Sequence, residues 1–249
     1  GQPLPEKALY LMFEDGRRDT AIFADDIIED LNFKGVMMTY PEKFDHEDPK
    51  FLRPSDLKDM TDSTFWELGT NGYRLEYINV YDRYHNFIGE IDPLTYAMLR
   101  PYLGRDYNHY LVDYIRDKDR IPVETLDHMK RRIGYDYSRV AELYQEHLGY
   151  VPQVYVLMHA NTGKFGNAAS VSYENEKWIR KLFTMNFNRE GCSFNQRNSS
   201  LYDLTRMQPQ PYWPVNHLLM RIKYDTKQQE ITFKRGDTRI EDWEILKGA

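Results

Sequence analysis

Four polar clusters in this sequence stand directly behind short apolar runs. Glu14 and Asp15 follow Ala8-Leu9-Tyr10-Leu11-Met12-Phe13, and Thr70, Asn71 and Tyr73 follow Trp66-Glu67-Leu68-Gly69. His159, Asn161 and Lys164 follow Val154-Tyr155-Val156-Leu157-Met158, and Asn186, Asn188 and Arg189 close the run that begins at Thr184. Paired carboxylates can do acid–base work when one is protonated and the other ionised across a scissile bond. Glu14 with Asp15, or either with Glu67, could form such a pair, because burial beside a like charge raises one of the two pKa values. His159 titrates near neutral pH and could shuttle a proton or simply hydrogen-bond its surroundings. The bland reading of Glu14-Asp15 is a polar turn feeding a helix.

The elements that must position these groups alternate in type. The first apolar run reads as a strand ending at Gly16, and Phe23, Ile27 and Leu31 recur at helical spacing behind it. Val36-Met37-Met38 is a second strand, Pro54-Ser55-Asp56-Leu57 a helix start, and Trp66 opens a third strand. Leu126, Met129, Ile133, Tyr137, Val140, Tyr144 and Leu148 mark a long helix closed by Gly149. A strand at Val154, a short helix over Glu174 to Leu182 and a strand at Thr184 follow. Leu218-Leu219-Met220-Arg221-Ile222 and Ile231-Thr232-Phe233 read as the last strands. Strand–helix alternation predicts a parallel sheet, hence one α/β barrel-like domain with its site at the carboxyl ends of the strands. From about Arg74 to Pro122 the periodicity fades into an irregular, Tyr-rich insertion.

The composition removes several function classes. The chain has 249 residues, with 33 Lys and Arg against 39 Asp and Glu, a net charge of −6 that does not suit a nucleic-acid backbone binder. No apolar run is long enough to span a membrane. The single Cys192 excludes an internal disulfide and a cysteine-built zinc cluster. Tyr alone contributes 20 residues, and its flat ring with a polar tip suits wet interfaces and sugar rings as well as the border of a core. Asn161-Thr162-Gly163-Lys164 lacks the upstream Gly and following Ser or Thr of a phosphate loop. Asn198-Ser199-Ser200 fits a glycosylation acceptor.

Leu11-Met12-Phe13-Glu14-Asp15-Gly16 resembles the Thr-Phe-Asp-Asp-Gly motif that opens the polysaccharide deacetylase (NodB-homology) domain. Glu67-Leu68-Gly69-Thr70-Asn71-Gly72-Tyr73 resembles its second motif, Glu-Ile-Gly-Asn-His-Thr-Tyr-Ser-His. The long helix followed by Leu148-Gly149-Tyr150-Val151-Pro152 and a strand resembles the approach to its third motif, Arg-Pro-Pro-Tyr-Gly. The resemblance covers roughly residues 6 to 190 and implies a deformed (β/α) barrel of about seven parallel strands over residues 1–235, interrupted at about 74–122. It implies Glu14 as general base and Asp15 as metal ligand. The two motif histidines fall on Asn71 and Leu75, and the third motif reads Leu157-Met158-His159-Ala160. Leu75 cannot ligate and Asn71 is a poor zinc ligand, so no resident metal is expected. A divalent metal at Asp15 is the alternative.

The resulting expectation is a carbohydrate-active, hydrolase-like domain acting on a poly- or oligosaccharide, of deacetylase or glycoside hydrolase type, with a divergent site. The alternative is a glycan-binding module that keeps the fold without catalysis. The expected catalytic residues are Glu14, Asp15 and His159. Around them Glu67, Asn71, Tyr73, Arg74, Asp106, His109, Asn161, Arg189, Arg206, Trp213 and His217 are expected to bind the sugar, as aromatic faces and hydroxyl partners do. Loops pinned by their own side-chain hydrogen bonds are the competing reading. Asp106 and His109 are expected to turn toward Glu14 and Asp15 from an insertion that walls the cleft, with a dimer contact as its other possible use. Residues 236–249 read as a linker or the start of a further β module. Polymeric substrates and an opening without Met suggest a bacterial secreted or envelope protein.

Overall fold

The computed structural model describes residues 8–46, 48–104, 107–160 and 164–233, with side chains as far as 227. The expected β module over 236–249 lies outside them. Six parallel strands form the main sheet: β1 (Leu11–Phe13), β2 (Gly35–Thr39), β3 (Trp66–Thr70), then, numbered after three strands of the insertion, β7 (Val154–Val156), β8 (Met185–Glu190) and β9 (Leu204–Arg206). They lie in the spatial order β1-β2-β3-β7-β8-β9. Helices α1 (Arg18–Asp30), α2 (Pro54–Asp62), α4 (Leu126–Leu148) and α5 (Ala169–Leu182) make the crossovers, and α6 (Val215–Phe233) follows the last strand.

The sheet curls upon itself. Met12, Val36, Met38, Val154, Val156, Met185, Phe187 and Leu204, alternate residues of five strands, meet in one apolar cluster inside the curl. β3 contributes Gly69, where a Cβ would fall 2.2 Å from the Met38 sulfur, so the thioether occupies the space a side chain would need. The outer face carries the larger core, in which Met37, Leu68, Tyr155 and Leu157 pack against Ile133, Tyr137, Val140 and Tyr144 of α4 and Val171 and Ile179 of α5. The Tyr144 hydroxyl binds Thr39 and also donates to the Gly69 carbonyl at 3.0 Å, fastening α4 to β2 and β3. α4 starts at Thr125, whose hydroxyl accepts the His128 amide, and stops at Gly149 with φ 81°.

The structure corrects the sequence reading in two places. The apolar residues at 218–222 and 231–233 belong to α6, not to strands. The helix expected behind the first strand is present as α1, with Phe23, Ile27 and Leu31 facing outward and Ala21 and Ile28 reaching the core. The insertion is not irregular: β4 (Tyr77–Tyr81) pairs antiparallel with β5 (Phe87–Ile91) and with β6 (Asn108–His109), and α3 (Pro93–Leu99) joins β5 to β6. Its strands carry Asn79, Gly89 and Glu90 among their apolar residues, so no period-2 pattern announces them.

Candidate functional site

β1 ends at Phe13, and the next two residues form the corner of the site. Asp15 sits in the left-handed region at φ 71°, followed by Gly16 at φ 60°. A Cβ on Gly16 would approach Thr39 Cγ2 to 2.8 Å, so the turn needs glycine there. A non-glycine residue in this region costs roughly 1–2 kcal/mol, a strain that clusters at functional positions. The Asp15 amide donates to Asn71 Oδ1 at 3.3 Å, and Asn71 Nδ2 lies 3.4 Å from the Met158 sulfur. Asn71 is fully buried and holds the corner in place; it does not face a ligand.

Glu14 is fastened across the open side of the curl. Arg206, the last residue of β9, donates from Nε to Glu14 Oε1 at 2.6 Å, with side chains only 8% and 22% exposed. This ion pair ties the first strand to the last. Asp15 has no such partner among the described residues, because Arg17 is engaged by Asp19 and Arg206 by Glu14. Burial pushes the Asp15 carboxyl above its usual range and the Glu14 charge pushes it further, while Arg17, the Tyr40 hydroxyl and Arg206 oppose. That hydroxyl is buried beside Asp15 and makes no hydrogen bond of good geometry. Tyr40 stands immediately after β2, so the rule that finds Asp15 after β1 finds Tyr40 as well, a residue the sequence reading missed.

The insertion supplies an aromatic wall. Tyr77 stacks on Tyr96 at 4.3 Å between ring centroids and meets Tyr107 edge-on at 5.3 Å. The Tyr96 and Tyr107 hydroxyls share a hydrogen bond of 2.7 Å. His159, at φ 58°, brings its ring to 5.3 Å from Tyr77 and 6.1 Å from Tyr107. Burial lowers the His159 pKa, Glu190 raises it and Arg206 lowers it further. Burial and its neighbouring tyrosines push the Tyr77 phenol up, with a smaller push from Asp15; burial and the Tyr96 hydroxyl push Tyr107 up to about 12. Tyr77, Tyr96 and Tyr107 were read only as members of a Tyr-rich segment; their ring contacts depend on the antiparallel register.

The residues present do not fit the divalent metal that the motif resemblance implies. Of the three ligand positions, Asp15 remains, the Asn71 amide is engaged at both ends, and Leu75 packs against the Tyr77, Val80 and Ile91 cluster. No group of three or more His, Cys, Asp or Glu side chains able to hold a metal occurs among the described residues.

The remaining expected site residues divide. Glu14, Asp15, Asn71 and Arg206 are linked by contacts at this corner, and His159 joins them through Tyr77 and the field of Arg206. His109 is fully buried: the Leu111 amide donates to Nδ1, so Nε2 carries the proton toward the Arg74 carbonyl at 3.3 Å. Burial and His159 lower its pKa to about 3, and its ring lies over His159 at 6.4 Å. It braces the insertion and has no contact with Glu14 or Asp15, contrary to expectation. Glu67 lies near the start of β3, at the opposite end of the curl, 4.0 Å from Lys34 and 60% exposed. Tyr73 packs on Tyr135, Arg74 pairs with Glu76, and Arg189 binds Asp203 through Nε at 2.9 Å. Trp213 and His217 meet with tilted rings, 4.5 Å between centroids, at the start of α6, and have no contact with the corner among the described residues. Asp106 and Asn161 lie outside the described residues.

No family model and no curated protein matches the chain. Solved structures do. A de-N-acetylase from Aggregatibacter actinomycetemcomitans superposes with TM-score 0.62 at 16% identity, over 88% of this chain and 76% of its own. The BpsB deacetylase domain from Bordetella bronchiseptica gives 0.61 at 14% identity, over 83% and 72%. IcaB from Ammonifex degensii gives 0.52 at 15% identity, over 84% and 70%. No helix among the described residues is long and apolar enough to cross a membrane. With its curled parallel sheet and Glu14-Asp15 turn, the chain has the α/β fold of the polysaccharide deacetylases, in a divergent form.

Proposed function

We propose that this chain binds a poly- or oligosaccharide at the corner formed by Glu14, Asp15, Tyr40, the tyrosine wall and His159, and does so without a resident metal. The observation that carries this reading is the fate of the ligand positions: Asn71 is spent on the Asp15 backbone and Leu75 on an apolar cluster. A metal-activated water needs a Lewis acid held by several donors, and one carboxylate does not provide that set. What remains suits sugar recognition, with tyrosine rings for the pyranose face and a carboxylate, a phenol and an imidazole for its polar groups. The deacetylase and de-N-acetylase names of the structural neighbours support a hexosamine polysaccharide, acetylated or de-N-acetylated, as the ligand class to try first. Such polymers lie outside the cytoplasm, which is where we place the protein.

The test is a titration with oligosaccharides of N-acetylglucosamine and of glucosamine, alongside assays for released acetate and for chain cleavage. Saturable binding without either product supports the reading. Glu14→Gln and Asp15→Asn then weaken binding; if neither variant changes it, the corner is not the site. A second reading, metal-free hydrolysis, is favoured by the raised Asp15 pKa beside the Arg206-bound Glu14. Turnover by the wild type that both variants abolish, in the presence of a chelator, would establish it.

A further inference from the structure

Asp15 is a largely buried carboxylate without a counter-charge. Its neighbour Glu14 bears the same charge and has already taken Arg206, while Arg17 is held by Asp19 at 2.9 Å. The Tyr40 hydroxyl is 4% exposed and approaches the Asp15 carboxylate without a hydrogen bond of good geometry. The two guanidinium groups whose fields reach Asp15, Arg17 and Arg206, are engaged elsewhere, and the rest of the surroundings is rich in π electrons. Tyr77 and Tyr107 wall the corner, and His159 and His109 are both held toward the neutral form. A desolvated carboxylate is costly unless paired. Aromatic faces next to a carboxylate are the setting in which a substituted ammonium is bound.

Resting on the glycan-binding reading above, we propose that Asp15, Tyr40 and the tyrosine wall select an amino sugar by its free ammonium group, so that the ligand is a de-N-acetylated hexosamine polymer and not its acetylated precursor. The ammonium takes the place at Asp15 that the motif resemblance assigns to a metal ion, donating to the carboxylate and to the Tyr40 oxygen, while the pyranose ring lies against the tyrosines. An N-acetyl group in the same place brings an uncharged amide to Asp15 and leaves its charge unmatched.

The experiment compares four probes of matched length by calorimetric titration at about pH 6, below the range in which such amines lose their proton. These are a glucosamine oligomer, an N-acetylglucosamine oligomer, a glucose oligomer and the polyamine spermine. The glucosamine oligomer is expected to bind at least ten-fold more tightly than the other three. Asp15→Asn is expected to erase that preference while keeping the circular dichroism spectrum and without lowering the melting temperature, and Tyr40→Phe to reduce it several-fold. Equal or tighter binding of the acetylated oligomer overturns the ammonium assignment and leaves the glycan-binding reading standing. Spermine binding as tightly as the glucosamine oligomer overturns the sugar part of the assignment. Failure of every oligosaccharide to bind overturns the glycan-binding reading itself, and this proposal with it. The wild-type comparison stands even if a variant fails to fold.

Discussion

The two ends of the curled sheet carry carboxylates in opposite circumstances. At the carboxyl end, Glu14 and Asp15 stand side by side, one joined to the 8%-exposed Arg206 at 2.6 Å and the other without an ion-pair partner among the described residues. At the amino end, Glu67 faces water 4.0 Å from Lys34, with both side chains more than half exposed. Burial makes the difference: the same residue type is a solvated charge at one end and an electrostatic problem at the other, and a charge left unmatched by the fold is one a ligand can match. Left-handed backbone occurs at both ends, at Asp15 and His159 on the carboxyl side and at Asn32 and Thr64 before β2 and β3, so strain alone does not separate them.

Removing one partner at each end should separate them most sharply. Arg206→Met strands Glu14 beside Asp15 and should cost about 2–4 kcal/mol in urea unfolding, below the full cost of breaking a buried pair because Glu14 keeps some exposure. Lys34→Met should cost less than about 0.5 kcal/mol. Comparable losses at both ends would remove the contrast.

A second buried acid extends the comparison into the helical layer. Asp136 on α4 is 1% exposed, accepts the Tyr73 amide at 3.4 Å and has its Oδ2 without a partner. Burial raises its pKa to about 8. The folded state therefore holds a proton that the unfolded chain has released, and stability contributed by this group falls as pH rises from about 4 to about 8. The slope has a limit of about 1.4 kcal/mol per pH unit. Asp136→Asn should flatten that part of the wild-type stability curve; a difference curve without slope between pH 5 and 8 would contradict the burial.

Asp15 follows the same sign with a smaller effect. Its raised pKa means that ionisation disfavours the folded state above the ordinary aspartate range. Asp15→Asn should leave stability at pH 7 unchanged or raise it by up to about 1 kcal/mol in thermal unfolding, while weakening glycan binding. A loss of stability would show that Asp15 is a structural residue. At the wall, Tyr107→Phe removes the 2.7 Å bond to Tyr96 and should cost about 0.5–1.5 kcal/mol in the same measurement.

Much of the barrel was legible because its strands are continuous apolar runs and α4 keeps helical spacing over 23 residues. β9 was not, since Leu204-Thr205-Arg206 is too short and polar to stand out. Leu218–Ile222 misled because a short apolar run is strand-like in sequence whichever element it joins. The place of Glu14, Asp15 and His159 behind strands was legible from the apolar runs before them. The Glu14–Arg206 pair, 192 residues apart, was not, because nothing local links the ends of a sheet that closes only in three dimensions. His109 looked like a site residue by type, and only the packing of the insertion shows that both ring nitrogens are used internally.

The central claim is that this corner binds sugar with its own side chains. Calorimetric titration of the wild-type protein with a glucosamine oligomer, first in chelator and then with an added divalent metal, tests it directly. The account predicts the same affinity in both conditions. Binding that disappears in chelator and returns with the metal would contradict it.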